Sequence, residues 1–178
     1  GNKSSNHINE LYTERKNLIR WFENNHPDDF DLFGAGWNEY TFHGVRMLRA
    51  LNKIPFAKKA MYKLVGEYYP SYKGKVDSKF ETMKKYRFSI CYENIKNASG
   101  YITEKMLDAF FAASVPVYLG ADNVTEHVPA NCFIDRREFD TDKDLYLFLK
   151  KMDDKTHLGY LNNIKDFLAS DSGKLFSS

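Results

Sequence analysis

Ser89–Gly120 reads SICYENIKNASGYITEKMLDAFFAASVPVYLG, and this stretch decides the fold. An apolar run, Phe88–Tyr92, leads into a polar loop, Glu93–Gly100. A helical pattern follows from about Thr103 to Ser114, and then comes Val115–Leu119, closed by Gly120. Strand, loop, helix and strand in that order make one βαβ unit. Met106, Leu107, Ala109, Phe110, Phe111, Ala112 and Ala113 make most of the helix circumference apolar, so the helix is expected to be largely buried. Against that background Tyr101, Glu104, Lys105 and Asp108 recur at i, i+3, i+4 and i+7 and form one polar stripe. A helix N-terminus already favours an anion through its free N–H groups and its dipole, and Lys105 adds a formal charge there. Glu104 is an acceptor of the kind that holds a ribose diol, and ligands of open α/β sheets bind at the carboxyl ends of strands, where this loop lies. A Glu-Lys pair in a first helical turn is by itself ordinary surface chemistry; its setting on a buried helix after a long polar loop favours a site. On this reading Lys105 is a ligand-facing cation whose removal spares the fold.

Upstream, Asn2–Asn9 is polar, and Ile8 to about Asn25 turns helical with Leu11, Leu18, Ile19 and Phe22 on one side. By spacing alone Arg15 is an exposed charge on that helix. Asp29–Phe33 reads as a strand closed by Gly34-Ala-Gly36. The D-x-D tripeptide Asp29-Phe-Asp31 has no companion ligands nearby and reads as strand punctuation, and the G-x-G lacks the third glycine of a dinucleotide fingerprint and reads as a turn. The segment 42–75 is basic, through Lys53, Lys58, Lys59, Lys63, Lys73 and Lys75, with short helices at Val45–Leu51 and Phe56–Val65. It reads as a solvated face, or as a lining for phosphates or an acidic acceptor. Asp77–Lys85 is another helix. Downstream, Ala121–Pro129 is loop and Asn131–Asp135 a short strand. Asp140-Thr-Asp142 opens the helix Lys143–Met152, with Asp as N-cap and Leu145, Phe148 and Leu149 inward. A last helix covers Lys155–Ala169, and a small polar tail follows.

Composition narrows the function classes. At 178 residues, 43% hydrophobic and 28% charged, the chain reads as globular and as one domain-sized unit, or at most one and a half. A net charge of +2 gives no nucleic-acid footprint. No run of 18 apolar residues reads as a membrane span, no signal peptide is read at the start, and Gly1 reads as a cut end. Cys91 and Cys132 are read as unpaired, small hydrophobes in core strands. Scattered histidines give no zinc spacing, and neither G-x-S-x-G nor a P-loop occurs. The sequons at Asn97 and Asn123 carry little weight. Alternating strands and helices predict an α/β fold, a three-layer Rossmann-like sandwich with a mainly parallel sheet.

Tyr86–Asn94, Gly100–Lys105 and Val115–Gly120 also follow the ordered pattern F-x-x-x-[FY]-E-N, Y-[IV]-T-E-K, [VI]-P-[VI]-x-x-G. This resembles the sugar-donor signature of the α-1,3/4-fucosyltransferases, glycosyltransferase family 10, and the resemblance runs from about Asn2 to Ser170. It implies the C-terminal half of a two-domain GT-B enzyme: residues 1–170 as the nucleotide-sugar domain, 171–178 as a flexible tail, and an N-terminal acceptor domain outside this chain. It implies GDP-fucose as donor, GDP and an oligosaccharide acceptor as partners, no nucleic acid, no required metal or other cofactor, and inverting transfer to a glycan hydroxyl. The donor-binding residues it implies are Arg15, Glu93, Asn94, Tyr101, Glu104 and Lys105, with Asn2 in the loop before Arg15. The general base is expected in the other domain. The expected location is cytoplasmic or peripheral to the inner membrane in a bacterium, the favoured reading, or the Golgi lumen in a eukaryote. A nucleotide-sugar module without activity of its own, and a transferase using another nucleotide sugar, are the competing readings.

Overall fold

The structure, a computed structural model, describes residues 7–40, 42, 45–65 and 67–174; Asn2 and residues 175–178 lie outside these. The described residues form two compact units, one within 17–76 and one that joins 7–16 to 77–174. Helix α1 (Tyr12–Asn25) gives its first turn to the latter and the rest to the former.

In the unit of Asn17–Val76, strand β1 (Leu32–Phe33) pairs in parallel with β2 (Tyr72–Gly74). Between β1 and β2 lie the short helix α2 (Arg46–Ala50) and α3 (Pro55–Val65), close to where the sequence places them. The core gathers Ile19, Leu32, Trp37 and Tyr69, with Phe30 and Tyr72 packed on it. Glu23 is enclosed there because its carboxylate accepts from the Ser71 N–H and hydroxyl, at 3.1 and 2.6 Å, and from Arg20 at 2.6 Å. The strand expected at Asp29–Phe33 is shorter than the sequence implies. Pro27, with φ already set for a tight turn, starts a 3₁₀ turn over Pro27–Asp29, and the paired strand covers Leu32–Phe33. Gly34 and Gly36 have φ of 124° and 87°, so Gly34-Ala-Gly36 is a turn as expected. Asp31 faces Lys73 at 3.4 Å, and no cluster of three metal-ligating side chains exists among the described residues.

The other unit carries a three-stranded parallel sheet ordered β3 (Phe88–Tyr92), β4 (Val115–Leu119), β5 (Ile134–Asp135). The fold is thus mixed α/β with parallel strands, as the sequence implies, in two small sheets. The β3 and β4 bounds match the apolar runs residue for residue. Phe88 pairs with Val115 and Tyr92 with Leu119. Central strand β4 is buried over Val115–Tyr118, which explains its unbroken apolar run. Pro116 fits there because the Val115 N–H donates toward β3, to Arg87 O at 2.9 Å. The Pro116 nitrogen therefore faces β5, whose pairing begins only at Val117.

Helices α4 (Lys79–Met83), α5 (Glu104–Phe111), α6 (Asp142–Lys151), α7 (Asp154–Ala169) and the one-turn α8 (Asp171–Lys174) complete this unit. Met106, Ala109 and Phe110 of α5 are buried, and Phe110 meets Phe167 of α7 edge-on at 6.1 Å. Four expectations need correction. Helix α5 stops at Phe111 rather than Ser114: Ala113 turns left-handed at φ 53°, and the Ser114 N–H closes back on Ala109 O. The N-cap of α6 is Thr141, which accepts from the Asp144 N–H at 3.1 Å, and not an aspartate. Leu145 and Tyr146 are the buried residues of α6, while Phe148 lies outside and packs on Phe139 at 5.3 Å. Cys132 sits in a 3₁₀ turn, Ala130–Cys132, not in a strand.

Both cysteines are free and buried. Burial pushes the Cys132 thiol up to about 11 and raises that of Cys91 further still, so neither is a thiolate near neutrality. Disulfide-exchange reagents are therefore expected to label both slowly until denaturant unfolds the chain. Rapid stoichiometric labelling of the native protein, followed by absorbance, would contradict this packing.

Candidate functional site

The carboxyl ends of β3 and β4 converge on Glu93 and Gly120. The Glu93 side chain is 0% exposed. A carboxylate that deep must have its oxygens occupied. Thr103 donates its N–H to Oε1 at 2.8 Å and its hydroxyl to Oε2 at 2.7 Å, and Lys105 Nζ reaches Oε2 at 2.7 Å. Lys105 Nζ also bonds the Thr103 hydroxyl at 3.0 Å. Thr103 is the N-cap residue of α5, yet its side chain makes no capping bond within the helix. The hydroxyl that would ordinarily cap α5 serves the carboxylate instead, and the carboxylate lies against the positive end of the helix dipole.

Gly120 closes the other wall. A Cβ there would stand 2.4 Å from the Tyr118 hydroxyl and 2.6 Å from Glu93 Cγ, so the packing requires that no side chain be present. The Tyr118 hydroxyl accepts from the Ala121 N–H at 3.0 Å, and burial raises its pKa to about 12, which keeps it protonated. Arg15, from the first turn of α1, donates through one guanidinium nitrogen to Tyr92 O and Glu93 O at 2.8 and 3.0 Å. These are the last carbonyls of the β3 run, and a cation suits them. No acid lies within ion-pair distance of Arg15 among the described residues. Desolvation lowers the pKa of its guanidinium, with Tyr12, Glu93 and Glu10 acting the other way. The start of α1 is fixed by the Glu10 carboxylate, which accepts from the N–H groups of Tyr12 and Thr13 at 2.6 and 3.0 Å. The Thr13 bonds hold that carboxyl below its ordinary range.

The structure therefore brings Arg15, Glu93 and Lys105 to one place and adds Thr103 and Gly120, which the sequence reading left out. The signals for Thr103 were its place at the start of the helix and its place in the Y-[IV]-T-E-K pattern. Glu104 is exposed at the first turn of α5. Tyr101 is half-buried, and Asn94 gives its backbone carbonyl to the Leu11 N–H at 2.9 Å. Asp108, the last member of the polar stripe, is tied to Lys79 at 3.1 Å. Lys105 is not the isolated cation the sequence implies: it is 27% exposed, so solvent reaches it, but it is committed to Glu93.

A family model described as glycosyltransferase family 10 (fucosyltransferase), C-terminal, matches residues 39–168. The chain belongs to glycosyltransferase family 10. Among curated proteins it is similar to mouse 4-galactosyl-N-acetylglucosaminide 3-alpha-L-fucosyltransferase 9, with 39% identity over 90 residues, 48% of this chain and 25% of that protein. The human counterpart gives 38% over the same length. Of solved structures, an alpha1,3-fucosyltransferase with GDP-fucose aligns over 85% of this chain and 44% of its own, at 18% identity and a TM-score of 0.47. The same kind of enzyme with GDP aligns over 90% and 49%, at 18% identity and a TM-score of 0.48. The family 10 chain described here thus spans about a quarter of the mouse and human relatives.

The enclosed pair makes a stability prediction opposite to the one drawn from sequence. Lys105→Met strands the Glu93 carboxylate and is expected to cost about 1–3 kcal/mol of unfolding free energy. Adding Glu93→Gln keeps an acceptor for the Thr103 N–H and removes the charge, so the double variant should regain much of the loss. Urea titrations of the single and double variants read this directly. A Lys105→Met variant as stable as the parent would show that the carboxylate does not need its countercharge.

Proposed function

We propose that this chain binds a sugar nucleotide, GDP-fucose, for inverting transfer of fucose to a glycan hydroxyl, as the nucleotide-binding half of a longer GT-B enzyme. The observation that carries the reading is the convergence of Arg15 with the Lys105–Glu93 pair at the carboxyl end of β3, within the stretch that bears the family's motif. Membership in family 10 and the identity to fucosyltransferases support the fucosyl group.

In this reading each residue has a stated task. Arg15 holds its place through one nitrogen, and its other N–H groups are available to phosphate oxygens in the forked geometry a guanidinium provides. Lys105 and Glu93 are together close to neutral, so the uncompensated positive charge at the site comes chiefly from Arg15. Lys105 retains one donor beyond those given to Glu93 and the Thr103 hydroxyl and stands at the N-terminus of α5, where a diphosphate is favoured. As the fucosyl–oxygen bond breaks, its electron pair stays on the departing GDP, and these preorganised cations stabilise that charge. Glu104 remains the residue for the ribose, and Asn94 and Tyr101 complete the donor-binding set. Glu93 is enclosed and acts by positioning Lys105. The acceptor hydroxyl attacks from the opposite face, and its proton goes to a base that we assign to the part of the enzyme beyond this chain. By itself the chain is then a sugar-nucleotide module.

Calorimetry tests the binding step. The chain is expected to bind GDP and GDP-fucose in preference to UDP or CMP. Arg15→Ala should lower GDP affinity roughly ten- to hundredfold, the scale of one charged hydrogen bond, while leaving guanosine affinity unchanged. Glu104→Ala should weaken both ligands. Arg15→Lys and melting temperatures control for the fold, because Arg15 also ties α1 to β3. Full GDP affinity in a well-folded Arg15→Ala would end the assignment.

The transfer step has its own expected outcome. With a lactosamine-type acceptor and GDP-fucose, the 178-residue chain should release little or no fucosylated product in a radiochemical assay. Robust turnover would place the general base within this chain.

A further inference from the structure

Residues 45–64 contain six cations, Arg46, Arg49, Lys53, Lys58, Lys59 and Lys63, and no acid. Lys58 is paired with Glu39. The other five form no salt bridge among the described residues, and all five are exposed. The same stretch leaves large apolar side chains in solvent: Val45 is 65% exposed, Met47 79%, Phe56 81% and Leu64 78%, with Leu48 and Ile54 also exposed. Single exposed apolar residues are ordinary, but a concentration of them in one short stretch marks a contact surface. Helix α3 shows the arrangement most clearly. At 100° per residue Phe56, Lys59, Lys63 and Leu64 fall on one face, and Lys58 and Tyr62 fall on the other. The outward face has Phe56 and Leu64 toward its two ends and two lysines between them.

We propose that the basic, apolar outer face of α3, with the exposed cations and apolar side chains of α2, attaches the protein to an anionic lipid bilayer. A cationic helix whose outer face also carries Phe and Leu suits the boundary between headgroups and acyl chains, where both kinds of side chain are satisfied at once. Nucleic acid would satisfy the lysines and leave Val45, Met47 and Leu64 without a partner. Lys59 and Lys63 lie next to the apolar side chains, so their stems can run along the apolar boundary while their ammonium groups reach phosphate. Among the described residues no helix is long and apolar enough to cross a membrane. The inference stands independently of the sugar-nucleotide reading.

Co-sedimentation with vesicles tests it, using phosphatidylcholine alone and phosphatidylcholine mixed with phosphatidylglycerol. The chain is expected to pellet with the anionic vesicles, not with the neutral ones, and to be released by salt. Lys59→Glu with Lys63→Glu should lower partitioning by at least about twentyfold, since each basic residue near such a surface is worth about fivefold. Phe56→Ser with Leu64→Ser should weaken binding while keeping its salt dependence. These positions are exposed, so melting temperature and circular dichroism should not change. The proposal is overturned if anionic vesicles fail to retain the chain. It is also overturned if neutral vesicles retain it equally, or if both double variants bind as the parent does. Loss of self-association in Phe56→Ser/Leu64→Ser, without vesicle binding by the parent, would assign the face to a second copy and overturn it too.

Discussion

A carboxylate with no exposure, Glu93, is the constraint on which the site depends. Left without partners, a buried charge of this kind would be protonated or would disrupt the fold. Its partners come from well beyond its own strand: the N–H and hydroxyl of Thr103 and the ammonium of Lys105. Meeting that demand fixes where α5 begins, takes the hydroxyl that would otherwise have capped it, and leaves no room for a side chain at Gly120. Arg15 ties α1 to the same spot through the two carbonyls at the end of β3. A single desolvated group thereby joins one helix start, two strand ends and a second helix.

The pairing also changes where the site's charge resides. With Lys105 balanced by Glu93, the excess cation is Arg15, which is held by two carbonyl dipoles and lies over the Tyr12 ring at 5.4 Å. Such an arrangement keeps the local field positive without a mobile lysine, and a guanidinium held on two carbonyls loses little freedom when it meets an anion. The ammonium of Lys105 is held by Glu93 and by the Thr103 hydroxyl, so its direction is set before any ligand arrives.

The sequence was most legible where burial is simplest. Phe88–Tyr92 and Val115–Leu119 are apolar runs bounded by polar or turn residues, and the strands occupy those runs without a residue's error. The family signature spans the same stretch. Less legible was anything set by competition among local geometries. Asp29–Phe33 looked extended, but Pro27 favours a 3₁₀ turn over Pro27–Asp29. Ala113 in a left-handed conformation ends α5 early, which no propensity of alanine foretells. Phe148 is apolar and at a helical spacing from Leu145, yet Tyr146 takes the buried place. The Glu93–Lys105 pair was hidden for another reason: both residues were recognised, but spacing along a chain does not say that one carboxylate lies beneath another residue's ammonium.

The position of Pro116 has a consequence for how the sheet opens. Because Pro116 offers no N–H toward β5, the pairing of that edge covers Val117 and Tyr118, while β3 is matched to β4 along its whole length. Amide protons at the β5 boundary are therefore expected to exchange through small, local openings. Those between β3 and β4 need a larger opening and are expected to exchange more slowly. The sheet thus has a loosely held margin and a slowly exchanging seam, and the residues that would meet a ligand lie at the end of the seam.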